Sequence, residues 1–261
     1  GLSVAMTALA LQTYGWREVW TAAPARTMPF MLGLDLVIAM PISWMPLVSD
    51  YARYAAVPGR GLRGTWWGYF LVSSWMFAAG LVVALATGSG APETALMQLM
   101  GGHGLLGPAV AIVLLSTLTT TFLDIYSNAV SAQSLFPKIG TRPLIALAGL
   151  AGTAIALFFD ATQYEGFLLF IGAAFCPLFG VVLADYFVLK RGRYVAADLY
   201  RRGRYWYAGG VNGRALLAWG AGFGIYQGCA RMGFAGGSSV PSLLAAAAIY
   251  LAISHGKREP K

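Results

Sequence analysis

Oxygen-bearing side chains are concentrated in one stretch of an otherwise apolar segment. Residues 114–128 read LLSTLTTTFLDIYSN, with five hydroxyl groups within residues 116–121 and a carboxylate at Asp124. Thr117, Thr120 and Asp124 are spaced i, i+3 and i+7, so they share one helix face. Hydroxyl and carbonyl oxygens suit a hard cation such as Na⁺. The pattern predicts a substrate or ion site; the alternatives are hydroxyls bonded to their own helix and a carboxylate fixed to a neighbouring helix.

A second segment carries two prolines five residues apart. Residues 36–50 read LVIAMPISWMPLVSD, and Pro41 and Pro46 each remove a backbone donor from any helix formed there. The pattern predicts a kink or break, and broken helices inside a membrane line cavities whose freed carbonyls bind ions and ligands. The flat ring of Trp44 could stack on a heteroaromatic ligand, or it could simply pack in a kinked helix. The candidate substrate contacts in this segment are Met40, Pro41, Ser43 and Trp44.

The composition places both segments in a membrane. The chain is 58% hydrophobic and 11% charged, whereas a soluble domain is about 45–50% apolar and about 25% charged. A span needs about 20 mostly apolar residues, and a carboxylate at that depth costs roughly 2.5–3.5 kcal/mol, so it normally faces a cavity or a partner. We predict an all-α polytopic membrane protein with eight spans and a short surface helix over Pro92–Met100. The spans are Gly1 to about Tyr14, Met28–Tyr54, Thr65–Thr87, Leu105–Phe136, Pro143–Phe159, Tyr164–Leu189, Asn212–Ala230 and Val240–Ser254.

The basic residues predict the orientation. With the loop after the second span on the cytoplasmic side, fifteen of the 18 Lys and Arg residues fall in cytoplasmic loops, as the positive-inside rule requires. The run from Lys190 to Arg204 is then a topology signal and not a nucleic-acid surface. We expect a multi-pass protein of the inner membrane with both ends cytoplasmic. At the inner ends of two spans, Asp50 and Asp185 are expected to form local ion pairs with Arg53 and with the basic run.

Three motifs resemble one known family. Residues 43–54 (SWMPLVSDYARY), 124–137 (DIYSNAVSAQSLFP) and 184–194 (ADYFVLKRGRY) resemble the sixth helix and the ends of the eighth and tenth helices of the nucleobase:cation symporter family. Within that family the first motif and TTTFLD at residues 119–124 are most similar to the hydroxymethylpyrimidine permeases linked to thiamine biosynthesis. The resemblance covers helices five to twelve of a twelve-helix protein, so the chain is expected to be a fragment.

The resemblance implies a fold of two inverted five-helix repeats plus two terminal helices, with the sixth helix unwound at the midplane. Residues 1–14 would end the first repeat, 28–189 would form the second repeat, 190–211 a basic cytoplasmic loop and 212–254 the two terminal helices. The whole chain would be a single transmembrane domain, with Pro46, Asp50, Arg53 and Asp185 in structural or gating positions.

The resemblance also implies roles for individual residues. Asp124 matches an Asn that contacts the substrate ring, and the Na⁺ ligands match the carbonyl of Leu115 and the side chains of Leu118 and Thr119. Leu118 has no hydroxyl, so either Thr120 replaces it or coupling uses H⁺. The family's stacking Trp stands nine residues before the Asp-Tyr motif, where this chain has Pro41, whereas Trp44 stands six before Asp50.

The expected function is secondary active import of a small pyrimidine, hydroxymethylpyrimidine in the first instance, driven by Na⁺ or H⁺. An ionised Asp124 only accepts hydrogen bonds, which suits an exocyclic amine beside a protonated ring nitrogen, or it could itself carry the coupling proton. No enzyme motif, cofactor or metal site beyond Na⁺ is expected. The alternatives are a cytosine, purine or allantoin permease of the same family and a non-transporting structural fragment. The expected partners are the substrate, the bilayer and the N-terminal helices that would complete the site.

Overall fold

The computed structural model describes residues 1–22, 28–52, 54–89, 92–159, 163–195, 198 and 205–254, and its regular elements over these residues are helices. A π-helical turn over Ala184–Leu189 continues the eighth helix, and a 3₁₀ turn covers Ala208–Gly210. The α-helices are α1 (Leu2–Tyr14), α2 (Trp16–Thr21), α3 (Phe30–Ala52), α4 (Pro58–Thr87), α5 (Pro92–Gly101), α6 (Leu106–Leu135), α7 (Thr141–Phe158), α8 (Tyr164–Leu183), α9 (Gly213–Met232) and α10 (Ser239–Ser254).

Each of the eight predicted spans corresponds to a helix. In the part of the chain that the structure describes, five helices are long and apolar enough to cross a membrane, and α1 and α10 are shorter apolar helices. The five segments are Phe30–Ser49, Gly59–Thr87, Leu106–Gln133, Thr141–Phe158 and Tyr164–Leu189. The prediction of an all-helical membrane protein is therefore confirmed.

Helix ends follow local chemistry. Helix α4 begins with Pro58 in its first turn, where a missing N–H costs nothing, and ends at Gly88, whose φ of +65° is left-handed. Helix α9 begins after Asn212, whose side-chain oxygen accepts the N–H of Ala215 at 3.2 Å. It ends at Gly233, which is also left-handed. These signals delimit the helices independently of their apolar faces.

The chain divides into two compact units. The first comprises the described parts of residues 1–27 and 47–158, and the second those of residues 28–46 and 159–261. Helix α3 contributes to both, since the boundary falls directly after Pro46. The segment predicted as the second repeat, 28–189, thus supplies helices to both units.

The core of the first unit lies where α1, α2, α4 and α5 meet. Ala10, Val19, Val83 and Leu99 are buried there. The short helix predicted over Pro92–Met100 is present as α5, and one of its faces is buried: Leu99 and Met100 are each 1% exposed. This helix is therefore a packed part of the unit.

The second unit is built on close contacts between α8, α9 and α10. A Cβ atom on Gly180 of α8 would overlap the carbonyl oxygen of Leu243 in α10. One on Gly222 of α9 would lie 2.8 Å from the Cβ of Ala246 in α10. Only glycine lets these backbones approach so closely, as is typical of helix pairs in membranes.

A second set of glycines in α9 has the spacing that is typical of close helix packing. Gly220, Gly224 and Gly228 repeat every four residues in α9, a pattern that predicts close helix packing. A Cβ on Gly220 or Gly224 would have no atom within 4 Å among the described residues. Among the described residues, the contact of α9 with α10 is made instead at Gly222, two residues out of register with this set.

Helix α3 is continuous from Phe30 to Ala52 with Pro41 and Pro46 inside it. The predicted break, and the unwound sixth helix that the resemblance implied, are therefore wrong for this structure. Each proline removes only its own N–H from the helix, and the bonds of neighbouring residues keep the backbone helical. Between the prolines, the Ser43 hydroxyl donates to the carbonyl of Met40 at 2.6 Å.

Candidate functional site

Asp124 lies on the exposed surface of α6, in the first unit. Thr117 and Thr120, which share its helix face, are exposed as well. Further along the same helix, Ser127 and Ala129 are buried, and Ile125 lies next to Gly149 of α7. Helix α6 therefore packs near its two ends, at Ala109 and at Ser127 and Ala129, and its hydroxyl-rich middle stretch is exposed.

The residues predicted to bind a cation are adjacent on α6. The Thr119 hydroxyl donates to the carbonyl oxygen of Leu115 at 3.1 Å and to that of Ser116 at 2.8 Å. The Thr117 hydroxyl donates to Val113 at 2.9 Å. Hydroxyls bonded to carbonyls of their own helix are the alternative to a cation site that the sequence left open for each single residue. The Thr119 bond nevertheless holds two of the predicted ligand oxygens side by side.

The two remaining positions of the predicted cation site differ in chemistry but not in exposure. Thr120 is exposed, and the Leu118 side chain is 67% exposed. The Leu118 side chain offers no oxygen to a cation, whereas the family pattern has a hydroxyl at this position.

The candidate substrate residues of α3 belong to the second unit. Met40, Pro41 and Ser43 are half-buried, and Trp44 is 36% exposed. The hydroxyl of Tyr164 in α8 donates to the Met40 sulfur at 3.4 Å. Asp124 and this segment thus lie in different units.

Of the residues predicted to have structural or gating roles near the end of α3, the structure describes Pro46 but not the side chains of Asp50 and Arg53. Pro46 is inside α3, at the last position that belongs to the second unit. Arg53 lies outside the described residues, and so does the side chain of Asp50. The prediction that these two form an ion pair stays a prediction.

Asp185 is bonded to tyrosines. One carboxylate oxygen accepts the hydroxyl of Tyr250 in α10 at 2.8 Å, and the other accepts the hydroxyl of Tyr194. The Tyr250 oxygen in turn accepts from the Asn212 amide at 3.2 Å. The sequence predicted local ion pairing for Asp185 and missed these neutral donors, because it does not reveal that α10 returns to the end of α8.

Burial, and then the hydrogen bond to Asp185, raise the pKa of Tyr194 above its usual value. The phenol therefore remains a protonated donor throughout the physiological range. Since Asp185 lies in the π-helical turn, its bonds join the end of α8 to the loop at Tyr194 and to α10. The cluster of Asp185, Tyr194, Asn212 and Tyr250 is a structural junction where the end of α8, the following loop and α10 meet.

Asp35 is a second hydrogen-bonded carboxylate, and the sequence did not predict the groups that bind it. Asp35 of α3 is 5% exposed, and its two oxygens accept the backbone N–H groups of Ser238 at 2.8 Å and Ser239 at 2.9 Å. The signal was available, since an acidic residue within a span implies a partner. The Gly236-Gly-Ser-Ser239 run before an apolar segment also marks a helix start that an anion can cap.

A cavity of about 520 Å³ adjoins Asp35 in the second unit. Its lining includes Leu32, Phe170, Tyr226 and Phe234. The residues predicted for the substrate site are all described, and none of them lines it. The cavity is therefore separate from the candidate site.

Comparisons with known proteins decide the family. A family profile described as permease for cytosine/purines, uracil, thiamine, allantoin matches residues 3–248. The chain belongs to this permease family. Membership confirms the broad part of the resemblance, which is the family itself, and the family is one of membrane permeases and not of enzymes.

Individual relatives are more distant. The chain is 29% identical over 171 residues to the cytosine permease of Escherichia coli K12, a match that covers 66% of this chain and 39% of that protein. It is 27% identical over 205 residues to the allantoin permease of Bacillus subtilis, covering 73% of this chain and 41% of that protein. The chain thus spans about two-fifths of the length of these relatives.

Solved structures confirm the fold. The inward-facing conformation of Mhp1 matches with a TM-score of 0.72 at 21% identity, over 96% of this chain and 57% of that one. Mhp1 in a closed conformation with bromovinylhydantoin bound matches with a TM-score of 0.72 at 22% identity. The predicted inverted-repeat transporter fold, present here as a partial chain, is confirmed.

Proposed function

We propose that the protein containing this chain imports a small pyrimidine, hydroxymethylpyrimidine in the first instance, by secondary active transport. The observation that carries the proposal is Asp124, a carboxylate exposed on an apolar helix in a member of a nucleobase permease family. The motifs at residues 43–54 and 119–124 support the pyrimidine because they are most similar to hydroxymethylpyrimidine permeases.

The role proposed for Asp124 is recognition of an aminopyrimidine edge. A carboxylate accepts two parallel hydrogen bonds, one from the exocyclic amine and one from a protonated ring nitrogen, and such charge-assisted pairs are strong. Met40, Pro41, Ser43 and Trp44 are the proposed contacts from α3. The helices that correspond to the rest of the relatives' length are the proposed partners that complete the site.

The proposed coupling ion is Na⁺, held by the carbonyl of Leu115 and the hydroxyls of Thr119 and Thr120, with H⁺ carried by Asp124 as the alternative. The Thr119–Leu115 distance of 3.1 Å supports a shared ligand position on α6. No cofactor is proposed. The proposed location is the inner membrane with both ends of this chain cytoplasmic, which the loop distribution of basic residues supports.

The test is uptake of labelled hydroxymethylpyrimidine by the full-length protein, with cytosine, uracil and allantoin as competitors, in Na⁺ and in Na⁺-free buffer. We expect aminopyrimidines alone to compete. Asp124→Asn should reduce uptake about 10–100-fold, the equivalent of a hydrogen bond to a charged group worth about 1.5–3 kcal/mol. Glu18→Gln, which neutralises a carboxylate on α2, is the matched control and should leave uptake unchanged.

Other outcomes lead to other functions. Uptake of cytosine or allantoin in preference to hydroxymethylpyrimidine would favour a cytosine, purine or allantoin permease. The 29% identity to a cytosine permease supports this alternative. Uptake that is unaffected by Asp124→Asn would contradict the proposed site. No uptake by a full-length protein that is present in the membrane would favour a structural role.

A further inference from the structure

Asp35 caps the N-terminus of α10 from a distant helix. Its two carboxylate oxygens accept the N–H groups of Ser238 and Ser239, at 2.8 and 2.9 Å, and we refer to this pair of bonds as the Asp35 cap. The first N–H groups of a helix have no partner within it, and the helix dipole places partial positive charge there. The buried carboxylate is thus balanced by a helix end.

The turn between α9 and α10 is shaped to receive this carboxylate. Gly237 has a φ of +73°, and a Cβ atom on it would lie 3.1 Å from the Asp35 Oδ1 atom. Gly233, in the same turn, has a φ of +59°, but a Cβ there would meet nothing within 4 Å. Both positions favour glycine for backbone reasons, and only Gly237 also makes room for Asp35.

The part of α3 that follows Asp35 is held against α8. Ala39, one turn later on the same face, is fully buried, and its Cβ lies 3.5 Å from the position of a Cβ on Gly172. Met40 accepts the Tyr164 hydroxyl at 3.4 Å. The proposed substrate segment therefore begins at the point where α3 is fastened to two neighbouring helices of its own unit.

We propose that Asp35 is a positioning residue for substrate binding. Two bonds from one carboxylate to successive N–H groups fix both the depth and the rotation of the outer half of α3. Because α3 is a continuous helix, they also restrain Met40, Pro41, Ser43 and Trp44, which follow within about two and a half turns. The inference rests on the proposed function only where it assigns substrate contacts to Met40, Pro41, Ser43 and Trp44. The restraint of α3 by Asp35 does not depend on the proposed function.

The first experiment measures uptake kinetics of labelled hydroxymethylpyrimidine in the full-length protein. Asp35→Asn, which removes one acceptor, and Gly237→Ala, which crowds the same carboxylate, should each raise KM about tenfold while Vmax per molecule stays within about twofold. Gly233→Ala, which imposes similar backbone strain without touching Asp35, should leave KM within about twofold of the parent.

The second experiment does not depend on transport. A cysteine introduced by Ser43→Cys is labelled with a membrane-permeant maleimide in vesicles. The background for each variant is the labelling of the same protein without Ser43→Cys. The labelling rate should rise in Asp35→Asn and Gly237→Ala and remain unchanged in Gly233→Ala. If the wild-type protein transports no pyrimidine, this result still decides whether Asp35 restrains the segment.

The proposal is overturned if Gly237→Ala and Gly233→Ala give the same KM and the same labelling rate. It is also overturned if Asp35→Asn lowers only the amount of protein in the membrane while KM and labelling match the parent, since that is what a purely structural cap would do. Should Asp35→Asn fail to reach the membrane, the comparison between the two glycine variants decides the matter.

Discussion

Asp35 and Asp124 are both carboxylates within apolar helices, and their surroundings are opposite. Asp35 is 5% exposed with each oxygen bonded to a backbone N–H, whereas Asp124 lies on the exposed surface of α6. A charge that is fully bonded within its own unit contributes to architecture. A charge left at the surface of an apolar helix has bonding capacity for something else, which is why we assign binding to Asp124 and positioning to Asp35.

The helices around the two carboxylates differ in the same way. Around Asp35, α8, α9 and α10 approach closely at Gly180 and Gly222. Around Asp124, α6 and α7 present mostly exposed side chains, and a Cβ on Gly152 of α7 would meet nothing within 4 Å. Substitutions at the close helix contacts of the first region, Gly180 and Gly222, should therefore change stability, and those on the exposed face around Asp124 should change activity.

The largest expected effect is on packing. Gly180→Ala places a methyl group against the carbonyl of Leu243 and should lower the free energy of unfolding by about 1–3 kcal/mol. Gly152→Ala should be neutral or raise it by up to about 1 kcal/mol, because alanine favours helix. Thermal unfolding of the detergent-solubilised full-length protein measures both. Equal effects at the two glycines would show that the regions do not differ in packing.

A smaller effect is expected at the Asp185 junction. Tyr250 is 3% exposed, so Tyr250→Phe leaves one oxygen of the half-buried Asp185 carboxylate without its donor and should cost about 1–1.5 kcal/mol. Tyr194 is 39% exposed, and water can replace its hydroxyl, so Tyr194→Phe should cost less than about 1 kcal/mol. The same unfolding measurement compares the two. A larger loss for Tyr194→Phe would contradict the dependence on burial.

The smallest effect on stability is expected in α6. Thr119→Val and Thr117→Val each remove an exposed hydroxyl bonded to its own helix, and each should change the unfolding free energy by less than about 0.5 kcal/mol. Only Thr119→Val should raise the Na⁺ concentration for half-maximal uptake, by about tenfold if one ligand is lost. Identical Na⁺ dependence in both variants would show that the Thr119 hydroxyl is not a Na⁺ ligand, and uptake that does not depend on Na⁺ in the parent protein would favour coupling through H⁺.

Local sequence signals predicted much of this fold. Runs of apolar residues located the helices, although α4 begins at Pro58 and not at Thr65, because a helix can continue through Arg60 and Arg63 where the apolar run stops. Two prolines predicted a break that a continuous α3 contradicts. The backbone hydrogen bond that each proline removes was visible in the sequence. The contact of the unbroken α3 with α8 was not.

Contacts between distant residues were beyond the sequence. Glycine spacing in α9 suggested Gly220 and Gly224, but the face that meets α10 contains Gly222, and only the neighbouring helix determines which face that is. For the candidate site, the shared face of Thr117, Thr120 and Asp124 followed from helix periodicity, whereas the pairing of Leu115 with Thr119 was implied by the family resemblance. The bonds of Asp35 and Asp185 followed from neither, since their partners come from other parts of the chain.

The Asp35 cap has a consequence for biosynthesis. Asp35 and Ser238 are separated by 203 positions in the chain. At about 5–20 residues per second, roughly 10–40 s of translation separate the synthesis of the carboxylate from that of the N–H groups that bind it. During this interval α3 must be held at the translocation machinery or in the bilayer with its charge unpaired. The Asp35 cap can therefore form only after α8 and α9 have been synthesised, so α3 takes its final position late relative to its own synthesis.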